Sequence, residues 1–138
     1  MVAAGLRLVM SHSDLQTDCI VWGYRNVWFE FSPSDATLMI PVTLEDLDLM
    51  HDTFMSCFTT QKKASFPSPY YDGPFSLWSK HIQIKQRNVL TTLLGDEYFQ
   101  THDNSRVRNS SGFVFIKAMH AKEFLNEVEQ LKSTLEKK

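Results

Sequence analysis

The sequence predicts an α+β fold made of two tandem repeats, each with three antiparallel strands followed by one helix. Three observations support this prediction. In both halves of the 138-residue chain, short segments alternate apolar and polar residues, and each half then ends in apolar residues at helical spacing. In addition, Arg-Asn-Val occurs at residues 25–27 and again at 87–89. The predicted repeats are residues 6–58 and 80–138, and residues 59–79 connect them.

The composition predicts one globular domain that spans residues 1–138. Hydrophobic residues make up 43% of the chain and aromatic residues 12%, which is enough for a core. Two cysteines, Cys19 and Cys57, are too few for a disulfide framework and suit a reducing compartment. The first residues lack the pattern of a signal peptide, and no apolar run has the length of a membrane span. A cytoplasmic protein without membrane contact is therefore expected.

In the first half, residues 6–10 (Leu-Arg-Leu-Val-Met) predict a short strand. A hairpin is predicted over residues 18–32, because apolar residues alternate on both sides of a turn that contains Gly23 and Asn26. The alternating residues are Ile20, Trp22 and Tyr24 before the turn, and Val27, Phe29 and Phe31 after it.

A turn at residues 32–35 leads to a third strand at 37–41, which Pro41 is expected to end because it has no N–H to donate. The first helix is predicted to follow directly. Thr43 is a suitable N-cap, with Asp46 at the third helical position. The apolar stripe expected on this helix comprises Leu47, Met50, Phe54 and Phe58.

The second half predicts a hairpin, a loop, a strand and a helix. Residues 80–85 alternate, with Ile82 and Ile84 on one side, and a turn at 86–88 leads into a second strand at 89–94. The polar segment 101–112 predicts a loop, and residues 113–116 a strand. From Ala121 onwards, apolar residues at helical spacing continue to Leu135 and predict a long amphipathic helix.

The segment 116–125 (Ile-Lys-Ala-Met-His-Ala-Lys-Glu-Phe-Leu) resembles the strand-to-helix junction of the PUR-repeat family. Lys85-Gln86 also lies where that family often has a Lys-Gln pair. The resemblance covers residues 80–135, and the first half follows by internal repetition. It implies two repeats that intertwine into one domain, with helices packed on curved antiparallel sheets. Those sheets bind single-stranded nucleic acid in some members of the family and mediate dimerisation in others.

The connection suggests a first function, that of a non-enzymatic interaction module for a protein partner or a second copy of the chain. Clustered aromatic side chains are typical of interface centres. The predicted contact residues are Phe66, Tyr70, Tyr71, Phe75 and Trp78. An equally weighted alternative is that the connection folds back as a lid over the core, pinned by its own side chains.

The charge distribution suggests single-stranded nucleic-acid binding as an alternative function. Residues 59–117 contain eight basic and four acidic side chains (+4), whereas residues 1–58 contain two basic and eight acidic ones (−6). Phosphates would bind the basic side chains, while bases stack on Tyr70, Tyr71 or Trp28. The candidate residues are Lys62, Lys63, Lys80, Lys85, Arg87, Arg106 and Arg108. These residues also suit a solvated basic face, and the acidic first half opposes a polyanion.

Catalytic and metal-binding patterns are weak. The sequence has no serine in a nucleophile-elbow context, and its five histidines are distributed one per predicted element. His51 and Cys57 are six residues apart on the predicted first helix, but a metal site needs further ligands. We therefore expect a protein that is not an enzyme and has no metal or cofactor.

Overall fold

A computed structural model describes residues 2–12, 19–25, 27–28 and 30–136. The fold is α+β, as predicted, with six α-helices and a three-stranded antiparallel sheet of order β1-β3-β2 in this part of the chain. The strands are β1 (Ile20–Tyr24), β2 (Leu38–Val42) and β3 (Gly112–His120). The helices are α1 (Val2–His12), α2 (Leu44–Cys57), α3 (Phe75–Leu94), α4 (Asp96–Thr101), α5 (Ser105–Arg108) and α6 (Ala121–Leu135).

The chain divides into two compact units. The terminal unit comprises Met1–Gly23 and Lys117–Lys138, and the central unit comprises Tyr24–Ile116. Each unit has its own internal contacts.

In the terminal unit, the strand predicted at residues 6–10 is wrong, because this segment lies within α1. Leu6 and Met10 are spaced by one helical turn and are both half-buried, so the apolar residues follow a helical period. An ion pair between Arg7 and Glu129 joins α1 to α6. The prediction of α6 is confirmed, although Leu131 and Leu135 near its end are exposed and not in a core.

In the central unit, β2 pairs antiparallel with β3, from Leu38 opposite Ile116 to Val42 opposite Gly112. Pro41 was expected to end its strand, but it lies within β2 opposite Phe113. This position is tolerated because β2 is an edge strand of the sheet. A buried cluster packs beside this pair of strands. It comprises Leu90, Phe99, Phe113 and Phe115.

The first predicted helix is confirmed as α2, which begins with a complete capping box. The Asp46 N–H donates to Thr43 Oγ1 at 3.2 Å, and the Thr43 N–H donates to Asp46 Oδ2 at 2.9 Å. Leu47 is only 1% exposed, whereas Phe58, at the C-cap position of α2, is largely exposed. The predicted stripe is therefore buried at its start and open at its end.

The hairpin predicted at residues 80–94 is wrong, because these residues belong to α3. Ile82, Gln86 and Leu90 are buried at intervals of four residues, which is the spacing of a helix face. The polar Gln86 interrupts this stripe in the sequence, so the pair Ile82 and Ile84 resembles a short alternating strand. Gly112 permits close packing against α3, because a Cβ there would lie 3.1 Å from the Gln83 carbonyl oxygen.

The first-half hairpin is correct only in β1. Of the residues predicted as its second strand, Val27, Trp28, Glu30 and Phe31 are described, and none is in a strand. Phe29 and the predicted turn residue Asn26 lie outside the described residues. The loop predicted at 101–112 contains α5 and the start of β3. Since α3 replaces the second hairpin, the two halves do not share the order of elements that the repeat prediction requires.

Candidate functional sites

An aromatic cluster forms in the central unit around Phe66, which is only 8% exposed. Its ring centroid lies 5.1 Å from that of Trp28, 5.2 Å from that of Phe75 and 5.5 Å from that of Trp78. Tyr71 completes the cluster, with its ring centroid 4.9 Å from that of Trp78. Edge-on, tilted and stacked pairs at these separations add attraction beyond area burial. The rings of the aromatic cluster are therefore held in place by packing against one another.

The predicted connection is held in place by its own hydrogen bonds. The Phe66 N–H donates to the Gly73 carbonyl at 2.8 Å, and the Ser65 hydroxyl donates to Asp72 Oδ1 at 2.7 Å. The Tyr71 hydroxyl donates to the Pro74 carbonyl at 3.1 Å. Glycine at position 73 leaves room for the Tyr71 ring, because a Cβ would lie 2.6 Å from the Tyr71 hydroxyl oxygen and the ring would have to shift. The connection ends at Pro74, so Phe75 and Trp78 lie on α3.

The five predicted contact residues differ in their exposure. Phe66 is buried, and Tyr71, Phe75 and Trp78 are half-buried within the cluster, whereas Tyr70 is 94% exposed. The structure brings the first four together and directs Tyr70 to solvent.

The polar groups of the cluster are partly withdrawn from water. Trp78 Nε1 donates to the Val27 carbonyl at 3.0 Å, and the indole stacks on His81 with ring centroids 5.4 Å apart. Burial raises the pKa of the Tyr71 hydroxyl, and the neighbouring Asp72 carboxylate raises it further. Tyr71 therefore acts in the cluster as a neutral hydrogen-bond donor.

A cavity of about 330 Å³ lies between α2, α3 and β3 in the central unit. We call it the α2–α3 cavity. Its apolar walls include Met50, Phe54, Phe75, Ile82, Val114 and Phe115. No aspartate or glutamate occurs among the described residues that line it. An apolar cavity of this size with a few polar groups is typical of a small-molecule site.

The polar residues of this cavity come mainly from one face of α3. The Ser76 hydroxyl lies 2.8 Å from His51 Nδ1 on α2. Gln83 Nε2 donates to Ser79 Oγ at 3.3 Å. Gln86 is only 5% exposed, and its amide has no hydrogen bond with a described residue. Arg25 lines the cavity from the segment after β1.

The Ser76–His51 pair resembles part of a nucleophile–base arrangement, but a third group that orients the imidazole is missing from the described residues. None of the described carboxylates bonds to His51. His51 and Cys57 also have no further metal ligands, since no group of three or more His, Cys, Asp or Glu residues with metal-binding geometry occurs in residues 2–12, 19–25, 27–28 and 30–136. In this arrangement, the Ser76 hydroxyl lines the cavity and is hydrogen-bonded to His51, which is not among the lining residues.

The candidate nucleic-acid residues are largely engaged within the protein. Lys80 pairs with Asp48, and Lys85 Nζ lies 3.0 Å from Glu30 Oε1. Arg108 donates to the backbone carbonyls of His102 and Asp103 at 2.6 and 2.9 Å. Of the other four, Lys62, Lys63 and Arg106 are exposed and form no ion pair with a described carboxylate.

Arg87 and Lys80 are the two half-buried residues among the basic candidates. The guanidinium carbon of Arg87 lies 3.4 Å from the centre of the Phe99 ring, and its Nε is buried without a hydrogen-bond partner. Burial lowers the pKa of Arg87, and the charge of Asp96 opposes this shift. The stacked guanidinium is therefore poorly placed to contact phosphate.

The sequence patterns did not identify Ser76, Gln86 and Arg25 as residues that line a cavity. The four-residue spacing from Trp78 through Ile82 and Gln86 to Leu90 was the available signal.

Comparison with models of known protein families, with curated proteins and with solved structures finds no match. The resemblance to the PUR repeat therefore stays a prediction. None of the helices in the described part of the chain is long and apolar enough to cross a membrane.

Proposed function

We propose that this protein is a non-enzymatic interaction module that binds a protein partner, and that this partner is a second copy of the chain. The contact surface comprises the exposed rings of Trp28 and Tyr70. The buried part of the aromatic cluster packs against Trp28. Large aromatic side chains are enriched where binding energy is concentrated in interfaces. An interface of this kind would make the protein a dimer.

The exposure of Trp28 is the observation that carries this proposal. Its ring packs on Phe66 and Phe75, with centroids 5.1 and 6.3 Å away, yet the residue is 60% exposed. An aromatic ring that is already held in place loses little freedom when it binds, so most of its apolar contact contributes to affinity.

The distribution of apolar side chains provides further support. Among the described residues, more large apolar side chains are exposed than buried. Single exposed apolar residues are common on protein surfaces, but extensive apolar exposure marks interaction surfaces. Burial of Trp28 and Tyr70 against another chain would remove two of the largest exposed aromatic rings from water.

Sedimentation velocity over a concentration series tests this proposal. We expect the wild type to dimerise, and Trp28→Ser combined with Tyr70→Ser to shift the protein to monomer. The matched control is Tyr98→Ser combined with Leu93→Ser, which removes two exposed apolar residues from the same unit. A wild type that stays monomeric at every concentration, or a control that dissociates equally, would contradict the proposal.

Single-stranded nucleic-acid binding is the second candidate. It is favoured by Lys62 and Lys63, which are exposed near the exposed ring of Tyr70 in the chain. The ion pairs of Lys80 and Lys85 count against it, because these cations would have to leave their carboxylates to bind phosphate.

Fluorescence anisotropy with a labelled oligonucleotide tests this second candidate. Binding that weakens steeply with salt and is lost in Lys62→Glu with Lys63→Glu would support it, because phosphate contacts release counterions. No binding at ~50 mM salt, where such contacts are strong, would end it.

A further inference from the structure

Gln86 is an unusual residue for the centre of a helix face. It is 5% exposed and lies between the buried Ile82 and Leu90, yet its amide has no partner among the described residues. Buried polar groups in native proteins are nearly always hydrogen-bonded, so an unpaired one calls for an explanation. The neighbouring Gln83 has a partner in Ser79 and provides a direct contrast.

The Gln86 amide retains access to cavity space. In the described part of the chain, the only side-chain polar atom that is both closed to solvent and unpaired is Nε of Arg87. Gln86 lines the α2–α3 cavity and also a second, more open cavity of about 410 Å³. Its amide is thus available to a molecule that enters the α2–α3 cavity.

Arg25 is an exposed residue that lines the same cavity and carries a positive charge. Its guanidinium carbon lies 4.8 Å from the centre of the Phe31 ring, and NH1 donates to the Glu30 carbonyl at 3.3 Å. It forms no ion pair with a described carboxylate. Since the described lining contains no acidic residue, no carboxylate of the cavity wall neutralises this charge.

We infer that the α2–α3 cavity binds a small apolar carboxylate. Its apolar part would contact walls such as Phe54, Ile82 and Phe115, and its carboxylate would accept hydrogen bonds from the Gln86 amide and attract the Arg25 guanidinium. The volume of about 330 Å³ lies at the small end of known ligand sites, which favours a compact molecule.

Three eight-carbon probes with different head groups test this inference: octanoate, octanol and octylamine. We expect isothermal titration calorimetry to give the tightest binding for octanoate, weaker binding for octanol and none for octylamine. Charge complementarity predicts this order, because Arg25 attracts the carboxylate and repels the ammonium group. Absence of octanoate binding, or equal affinity for octanoate and octylamine, would overturn the inference.

Methionine methyl resonances locate the bound probe without a substitution. Met50 lines the α2–α3 cavity, whereas Met10 and Met119 belong to the terminal unit. Octanoate should shift the Met50 methyl signal in a saturable manner and leave the signals of Met10 and Met119 unchanged. Saturable binding that leaves Met50 unshifted would place the site elsewhere and overturn the inference.

Two substitutions separate the roles of the polar residues. Gln86→Leu should weaken octanoate binding by about tenfold, the size of effect of one hydrogen bond to a charged group. It should also raise the Tm, since it replaces a largely buried amide that has no described protein partner with an apolar side chain. Arg25→Gln should weaken octanoate by a similar factor but change octanol binding less than about twofold. Gln100→Leu and Arg106→Gln, both at exposed positions, are the matched controls.

A lower Tm with unchanged octanoate affinity in Gln86→Leu would make Gln86 a structural residue and overturn the inference. If that variant does not fold, Ser79→Phe fills the cavity from a half-buried position and should abolish octanoate binding. Retained binding in a folded Ser79→Phe variant would also overturn it. Self-association is measured separately, so failure of either proposal leaves the other standing.

Discussion

Helices α2 and α3 face the same cavity but are stabilised in different ways. α2 begins with a capping box and has one buried residue, Leu47. α3 begins at Pro74 without a side-chain cap, and it buries four residues along its 20-residue length. Two of these four, Ser76 and Gln86, are polar. The helix that depends most on burial therefore also provides the buried polar groups of the cavity.

Because of this difference, substitutions in the two helices should affect different properties of the protein. A cap contributes locally and independently of the partner elements, whereas a buried face depends on every element that packs on it. We expect substitutions at the start of α2 to change stability alone. Substitutions on the buried face of α3 should change stability, ligand binding or both, depending on whether the residue lines the cavity.

The largest expected effect is on the buried face of α3. Leu90→Ala should lower the free energy of unfolding by about 3 kcal/mol, because it leaves a void beside Phe99 and Phe113. Leu90 is 5% exposed, and the control Leu93→Ala on the same helix changes a residue that is 63% exposed. Urea titration measures both. A loss below about 1 kcal/mol for Leu90→Ala would contradict the burial of this face.

The next effect concerns the capping box of α2. Thr43→Ala should cost about 1 kcal/mol, because the Asp46 N–H loses its acceptor at the helix N-terminus. Thr53→Ala, at an exposed position further along α2, is the control and should cost less. If the two substitutions cost the same in thermal or urea unfolding, the cap does not distinguish α2 from α3.

The capping box also predicts a pH dependence. The Thr43 N–H, followed by its hydroxyl, holds the pKa of the exposed Asp46 below its ordinary value of 3.8. The folded state therefore binds this proton less readily than the unfolded state does. The contribution of Asp46 is complete above about pH 4 and is lost as the pH falls through the lowered pKa.

Urea midpoints measured between neutral and acidic pH test this dependence. The difference between wild type and Asp46→Asn should shrink as the pH falls below the ordinary pKa of Asp46. A difference that stays constant across this range would show that the carboxylate charge does not stabilise the cap.

The smallest effect is expected for the ion pair that joins the two helices. Asp48→Asn removes the charge that pairs with Lys80 and should cost less than about 1 kcal/mol, because exposed pairs are screened by solvent and salt. Asp52→Asn on the same helix, which breaks no ion pair with a described cation, is the control. The two variants should converge at high salt in thermal unfolding. A large, salt-independent loss of stability for Asp48→Asn would show instead that this ion pair is a main contact between α2 and α3.

The sequence alone was sufficient to predict those helices and strands whose pattern is local. Thr43 and Asp46 mark the start of α2 through residues three positions apart, and alternation identifies β1. The helical spacing after Ala121 identifies α6. Each of these patterns lies within one element, so no distant contact is needed to recognise it. The aromatic residues of the connection were also identifiable by composition, although their burial was not.

Tertiary structure decided α3 and the cavity. The segment 80–94 contains two short apolar patterns that suit strands, and only packing against α2 and β3 makes Ile82, Gln86 and Leu90 a single buried face. Gln86 looks like a turn residue in the sequence, because its environment depends on elements that are far away along the chain. Likewise, Arg25 becomes a cavity residue only after Tyr24, Arg25 and Val27 pack near α3. Short-range patterns determine how an element begins and which residues share a face, whereas burial depends on which distant element covers that face.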